Sequence, residues 1–219
     1  MQVNMRQIPL LIVTLSFLLV ATTANAQIKF GPLMGLNFAK LSSPSSSDEI
    51  QFKDVKSIVG LKIGGILQYA PSPKYSIQTG FLYSGMGADY RLYDKFYGFK
   101  SELILTRLNY ISIPLEFHYN IKNTFSCLSG YTGLDVNILL TGTTNGERDG
   151  AYKKLDPSWK FGCQYLLPVG LGFRLDYNLG LSGIFNTFDF GFGDDYNLVT
   201  KNRSFGITTF WLFGHSGVI

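Results

Sequence analysis

The chain has 219 residues, of which 46% are hydrophobic, 15% aromatic and only 16% charged, with a formal net charge of +4. Few charges combined with many aromatic residues argue against a disordered protein. The net charge is also too small for its length to indicate a nucleic-acid-binding protein, so we expect no nucleic-acid partner.

The N-terminal 26 residues predict a secretory signal peptide. Arg6 precedes a mostly apolar run over residues 8–20, and Ala24-Asn25-Ala26 supplies the small residues of a cleavage site. The run is shorter than the roughly 20 residues that a membrane-spanning helix needs. No cysteine follows the site to carry a lipid anchor. The sequence therefore predicts a signal peptide over residues 1–26 and one mature domain over residues 27–219.

Cleavage between Ala26 and Gln27 is directly testable. N-terminal sequencing of the protein isolated from membranes is expected to begin at Gln27, since Ala24 and Ala26 fit the small-residue pattern of the cleaving peptidase. A mature chain that begins at Met1 would contradict the predicted cleavage.

Alternation of apolar and polar residues is the strongest pattern in the mature domain. It runs through residues 59–69, 111–119, 171–179 and 205–213. A period of two over nine or more residues predicts β-strands, and strands of this length are typical of transmembrane barrels. No mature segment reaches 18 consecutive apolar residues, which excludes membrane-spanning helices.

The connections alternate between short and long, as in transmembrane barrels with short periplasmic turns and long outer loops. Short links are predicted at residues 71–74, 120–124 and 167–169, and long ones at 39–56, 85–101, 141–158 and 181–202. We therefore predict an all-β, eight-stranded, antiparallel, up-and-down transmembrane β-barrel in the outer membrane of a Gram-negative bacterium. Its strands are predicted at 28–38, 57–69, 75–84, 102–119, 125–140, 159–166, 170–180 and 203–213.

The alternation of apolar and polar residues is interrupted at one place in the fourth predicted strand. Arg107 and Asn109 share the odd-numbered face with apolar Ile111. We interpret that part of the strand as lying outside the lipid or as following a β-bulge.

The positions of residues on the predicted strands indicate two structural groups, one at the strand ends and one on the inward faces. Tyrosines at strand ends are predicted to form a periplasmic aromatic girdle, namely Tyr69, Tyr75 and Tyr119. Inward-facing polar residues are predicted to plug the narrow lumen, namely Lys62, Glu116, His118, Asp135, Arg174 and Asp176. Because a buried carboxylate needs a partner, Glu116 is expected to pair with Arg174 first and His118 second, and Lys62 with Asp176.

Three sequence segments resemble those of a known family: Gly35-Leu36-Asn37-Phe38, Gln78 to Ser84, and Tyr110-Ile111-Ser112-Ile113-Pro114-Leu115. They are similar to the PorT-like small outer-membrane β-barrels, which broadly resemble OmpX-type eight-stranded barrels. The resemblance spans nearly the whole mature chain, but its motifs are structural. One namesake of the family takes part in protein secretion, and no activity is common to the family. Family members usually close with an aromatic residue near the C-terminus, whereas here Phe213 is followed by six more residues.

Candidate catalytic and metal-binding groups are few. Ser112, Glu116 and His118 could supply a serine–histidine–carboxylate set, but a buried polar plug is favoured for them, and no Gly-x-Ser-x-Gly motif is present. The acidic residues of the last long loop lack a calcium-loop pattern. Cys127 and Cys163 are placed on opposite faces of neighbouring strands, which argues against a disulfide. We therefore predict no catalytic, cofactor or metal site.

The function predicted from these features is that of an integral outer-membrane protein with a structural or partner-interaction role, with a link to envelope or secretion functions. Two alternatives are an outer-membrane lipid-modifying hydrolase and a small-solute transporter. Expected partners are outer-membrane lipid, the barrel assembly machinery, and an unidentified protein that contacts the outer loops or the periplasmic rim.

Overall fold

The computed structural model describes residues 27–42, 50–94, 98, 100–123, 126–148, 150, 152–185, 188–189, 195–196 and 200–213. The predicted signal peptide, with Ala26 of its cleavage site, lies outside the described residues. So does the tail beyond Phe213, which includes His215. Gln27 is the first residue of the first strand.

Eight long strands make up the fold. The alternating segments of the sequence fall within them, except that Leu212 and Phe213 lie beyond the end of the last strand. They are β1 (Gln27–Ser42), β2 (Ile50–Ala70), β3 (Tyr75–Asp94), β4 (Ile104–Asn123), β5 (Ser126–Thr144), β6 (Leu155–Leu166), β7 (Leu171–Gly180) and β8 (Lys201–Trp211). Two-residue strands occur in the long connections, at Glu147–Arg148, Phe188–Asp189 and Asp195–Tyr196.

The eight strands form a closed antiparallel barrel. Each strand pairs with the next along the chain, and β8 pairs with β1 to close the sheet, for example through Phe205 opposite Phe38. This closure removes the unpaired sheet edges. The predicted all-β up-and-down barrel is confirmed. Among the residues that the structure describes, no helix has the length and hydropathy of a membrane span.

The strands extend further at the long-loop end than the sequence predicted. β2 begins at Ile50 instead of residue 57, and β3 continues to Asp94 instead of ending at residue 84. These segments were predicted as parts of long outer loops, but their polar side chains pair across the open ends of β2 and β3. Arg91 donates to Asp54 at 3.3 Å, and the Lys53 ammonium lies 3.8 Å from the ring centroid of Tyr93. Polar residues therefore stabilise strand structure above the lipid.

The irregularity predicted in the fourth strand lies instead on its neighbour, β5. Thr106, Leu108 and Tyr110 of β4 all face inward, so the alternation of β4 continues without interruption. The register with β5 shifts between Asn109 and Tyr110, which leaves one extra residue on β5. Arg107 and Asn109 face outward and are satisfied by polar partners, Arg107 with Asp89 at 2.5 Å and Asn109 with the Tyr83 hydroxyl at 2.8 Å.

The outer surface of the barrel carries an apolar band, and alternate residues of each strand face the lumen. Large exposed side chains recur on every strand, including Leu115, Phe117, Phe173, Leu175 and Ile207. At the short-turn end, the rings of Tyr75 and Tyr119 pack at 5.5 Å between centroids. Tyr69 lies near the same end of β2, opposite Ile77. Outward apolar and inward polar faces are the arrangement of a membrane barrel.

Arginine in place of Leu115 tests this facing. Leu115 is 61% exposed in the middle of the apolar band, so Leu115→Arg is expected to lower the free energy of unfolding in lipid vesicles by about 2–4 kcal/mol. The matched control is Ile121→Arg, on the same face of β4 but beyond Tyr119 at the short-turn end. That change is expected to cost only about 0–1 kcal/mol. Equal losses in denaturant titrations would show that the apolar band is misplaced.

Candidate functional site in the barrel lumen

Six charged side chains meet inside the barrel and are here called the central charge network. Each lies on the inward face of its strand, and each is at most 3% exposed. Three are cations and three are carboxylates, so their formal charges balance. The members are Lys62 on β2, Glu116 on β4, Asp135 on β5, Lys160 on β6, and Arg174 and Asp176 on β7.

Glu116 is the centre of this network. Arg174 donates from Nη2 to its Oε2 at 2.6 Å, and Lys160 donates from Nζ to its Oε1 at 3.2 Å. His118 donates from Nε2 to Oε2 at 3.1 Å. Both partners expected from the sequence are thus in contact with Glu116. Charge-assisted hydrogen bonds to both oxygens offset the cost of removing this carboxylate from water.

Lys160 is a member of the network that our sequence analysis missed. Its ammonium lies 2.7 Å from Asp135 Oδ1 and 3.2 Å from Glu116 Oε1, so it bridges two carboxylates. The sequence did contain a signal for it. Lys160 lies between outward-facing Trp159 and Phe161, and this alternation places it in the lumen.

The second expected pair, Lys62 with Asp176, is also present. The Lys62 ammonium lies 2.9 Å and 3.2 Å from the two oxygens of Asp176. Space for this carboxylate comes from Gly206, which lies directly opposite on β8. A Cβ at Gly206 would lie 2.3 Å from Asp176 Oδ2. A side chain at position 206 would therefore displace the Asp176 carboxylate from its place beside Lys62.

Tyr131 forms an aromatic support beside Glu116. Its ring stacks on the His118 imidazole with 4.7 Å between centroids, and the Arg174 guanidinium carbon lies 4.5 Å from the ring centroid. Arg174 also donates from Nε to the Tyr131 hydroxyl at 3.3 Å. A cation over an aromatic face adds to the attraction. The ring thus restricts both groups that donate to Glu116 Oε2.

Amides and hydroxyls occupy the lumen between the network and the long-loop end. Asn137 accepts from Ser112 Oγ at 2.5 Å and donates to Ser158 Oγ at 3.1 Å. Asn202 donates to Asp156 Oδ2 at 2.7 Å and to the Tyr110 hydroxyl at 3.2 Å. Asp156 is 1% exposed and therefore belongs to the lumen lining, but the sequence analysis did not identify it. The contacts are short and mutual, so these side chains fill the cross-section of the barrel.

Two apolar clusters also lie in the lumen. One comprises Leu33, Ile66, Leu82, Leu166, Phe210 and Leu212, and it extends from Leu82, which lies opposite Ser112, to Leu166 beside the short turn at residues 167–169. The outer apolar cluster includes Leu41, Ile58, Met86, Leu108 and Tyr110, together with Tyr152, Ile184 and Phe185 from the long connections. Side chains therefore fill much of the lumen, as expected for an interior just wide enough for them.

The residues considered for hydrolysis do not form a catalytic set. Ser112 and His118 are six residues apart on one strand, which separates them by roughly 20 Å at a rise of 3.3 Å per residue. Ser112 donates to Asn137 instead. Cys127 and Cys163 are both free. Across the part of the chain that the structure describes, no group of three or more potential ligands could hold a metal ion.

Residues 21–186 match the family described as "Outer membrane protein beta-barrel domain". The chain belongs to this family. It is therefore an outer-membrane β-barrel protein of a Gram-negative bacterium. In barrels of this kind the short turns lie on the periplasmic side. No curated protein matches the chain by sequence.

Three solved structures resemble this outer-membrane barrel at low sequence identity. OprG from Pseudomonas aeruginosa is 12% identical, with a TM-score of 0.50, and the match covers 87% of this chain and 98% of OprG. Neisserial surface protein A is 14% identical, with a TM-score of 0.49 and coverages of 84% and 97%. Ail of Yersinia pestis, solved with the heparin analogue sucrose octasulfate, is 12% identical, with a TM-score of 0.47 and coverages of 85% and 99%. At such identities the likeness concerns the fold alone.

Proposed function

We propose that this protein is a structural or partner-interaction barrel of the outer membrane, and neither a pore nor an enzyme. The observation that supports the proposal is the filled lumen. The central charge network, the amides and hydroxyls around Asn137 and Asn202, and the two apolar clusters place buried side chains along the described lumen. A solute would have to break buried ion pairs to pass.

Conductance in planar bilayers tests the pore alternative. The purified protein is expected to give no discrete channel openings, because removing one partner from a buried ion pair costs about 3–5 kcal/mol. A wide porin inserted in the same bilayers serves as the positive control. Stable openings of the wild-type protein would refute the closed-lumen proposal and favour the small-solute transporter.

We further propose that the long-loop end makes the protein contact. There the open ends of β2 and β3, at Ile50 and Asp94, extend beyond the apolar band, and Asp54 forms ion pairs with Arg91 and Lys100. Such an ordered, polar rim offers a surface for recognition. The periplasmic rim is the other candidate surface, and the experiment below compares the two.

Site-specific photo-crosslinking in intact outer membranes tests this proposal. A photoreactive amino acid at Lys153, exposed near the long-loop end, is expected to yield a discrete protein adduct. The same residue at Leu115 in the apolar band is expected to yield none, and Pro73 reports on the periplasmic turn. Adducts at Pro73 alone would move the contact to the periplasmic rim. Adducts at neither rim would contradict the proposal.

We also propose that the chain is one of the PorT-like barrels, because its Tyr110 to Leu115 segment resembles theirs. In this segment Tyr110 lies in the outer apolar cluster, and Pro114 faces inward opposite Asp135. This proposal includes a role in envelope or secretion functions. It also includes the barrel assembly machinery as a partner and the removal of residues 1–26 as a signal peptide. Secretion components among the Lys153 adducts would support the link to secretion.

A further inference from the structure

A side groove of about 760 Å³ opens near the long-loop end of the barrel wall. The β1–β2 ladder ends at Ala39 opposite Ile58, while β1 continues to Ser42 paired only with β8. The two strands therefore separate above that point. The groove begins in this gap and crosses β1 and β8.

Two cations of the groove lie directly opposite each other. Lys40 of β1 pairs with Arg203 of β8, and both side chains are exposed on the outer face. Among the described residues, neither forms an ion pair with a carboxylate. Like charges directly opposite on neighbouring strands are destabilising. An anion that bound both cations would remove this repulsion.

Aromatic residues lie immediately below the two cations. Phe38 pairs with Phe205, and Phe205 also pairs with Tyr177 on β7. All three line the groove, and the two phenylalanines are 38% and 40% exposed. They are two residues from the cations along the strands, which corresponds to roughly 7 Å. The groove thus has an apolar part at the edge of the membrane band and a cationic part just above it.

The acidic residue in the groove lining does not cancel this charge. Asp54 pairs with Lys100 at 2.9 Å and with Arg91 at 3.3 Å, on the side of the groove formed by β2. The Lys100 ammonium that is hydrogen-bonded to Asp54, together with Arg91, holds the pKa of that carboxyl below its ordinary value. Lys40 and Arg203 therefore remain available to an external anion.

We propose that this groove binds a phosphorylated glycolipid of the outer leaflet, of the lipid A class. The lipid phosphate contacts Lys40 and Arg203, and one acyl chain packs on Phe38 and Phe205. Lysine and arginine form charge-assisted hydrogen bonds with phosphate, and arginine can do so with two donors at once. The height of the cations, just above exposed aromatic residues, matches the headgroup region of a bilayer. This site goes beyond the proposed protein-contact role and does not depend on it.

Native mass spectrometry of the detergent-solubilised protein tests the site with monophosphoryl lipid A as the probe. The wild-type protein is expected to bind one lipid A at least about tenfold more tightly than dephosphorylated lipid A. Lys40→Gln with Arg203→Gln is expected to abolish this preference. The matched control is Lys153→Gln with Lys154→Gln, which removes the same amount of charge from exposed positions elsewhere at the long-loop end. This control is expected to retain the preference for phosphorylated lipid A.

Melting temperatures separate binding from folding. Without lipid A, the Lys40→Gln and Arg203→Gln variant is expected to melt no lower than the wild type, because it lacks the like-charge contact. With lipid A, only the wild type and the control variant are expected to gain stability. Equal binding of phosphorylated and dephosphorylated lipid would overturn the proposal, as would equal losses in both double variants. Displacement by millimolar inorganic phosphate would identify a free-phosphate site instead.

Discussion

Replacing Glu116 by alanine is expected to lower the free energy of unfolding by about 3–5 kcal/mol, one of the largest single effects in this barrel. The change leaves Arg174 buried without its carboxylate, and it removes one of the two anions that Lys160 contacts. Unpaired buried charges are costly because the lumen offers no bulk water. Denaturant titration of the protein folded into lipid vesicles measures the loss.

Two companion variants make this prediction sharper. Glu116→Ala combined with Arg174→Ala should recover part of the loss, because the double variant removes both charges of the 2.6 Å pair. Gln78→Ala is the control, since Gln78 lies directly opposite Glu116 on β3 and is equally buried but uncharged. Its loss should be clearly smaller. Strictly additive losses in the Glu116–Arg174 cycle would contradict their coupling.

Lys160→Met is expected to destabilise the barrel by a similar amount, about 3–5 kcal/mol. Methionine retains much of the side-chain volume but leaves the network with three carboxylates and two cations. Asp135 then loses the cation that lies 2.6 Å from its Oδ2, and Glu116 keeps only Arg174 and His118. The same vesicle-based titration applies.

Restoring the charge balance is the decisive comparison for Lys160. In the variant with both Lys160→Met and Asp135→Asn, the pairs Arg174–Glu116 and Lys62–Asp176 remain, so a coupling energy of about 0.5–3 kcal/mol is expected. Lys153→Met, at an exposed position of a long connection, should leave the stability nearly unchanged. Absence of rescue by Asp135→Asn would show that packing, and not charge balance, dominates at position 160.

Alternation in the sequence predicted the strands and their side-chain faces, strand length favoured a membrane barrel, and the three short and four long connections predicted eight strands. It placed Glu116, Arg174, Lys62 and Asp176 in the lumen, and the heights of the first two along their strands indicated that they would meet. These predictions succeeded because the side-chain period of a strand is fixed at two.

Other features depended on information that no single strand contains. The extra β5 residue opposite the Asn109–Tyr110 step is visible only in the register between two strands. The extensions of β2 and β3 follow from cross-strand contacts of polar residues that resemble loop residues in the sequence. The stagger of a barrel determines which distant strands face each other across the lumen, and this stagger could not be deduced from the pattern. The contact of Asn202 with Tyr110, 92 positions away, is one result of it.

The central charge network also bears on how the barrel can assemble. Its members come from five strands, and the Lys62–Asp176 pair joins positions 114 residues apart. A sheet that ended at β5 would leave Lys62 and Glu116 without these strong partners, because Lys160, Arg174 and Asp176 lie on later strands. Pairing of the interior charges therefore depends on the late strands β6 and β7. An open, partly inserted intermediate that lacks these strands leaves Lys62 and Glu116 without the partners that stabilise them in the finished barrel.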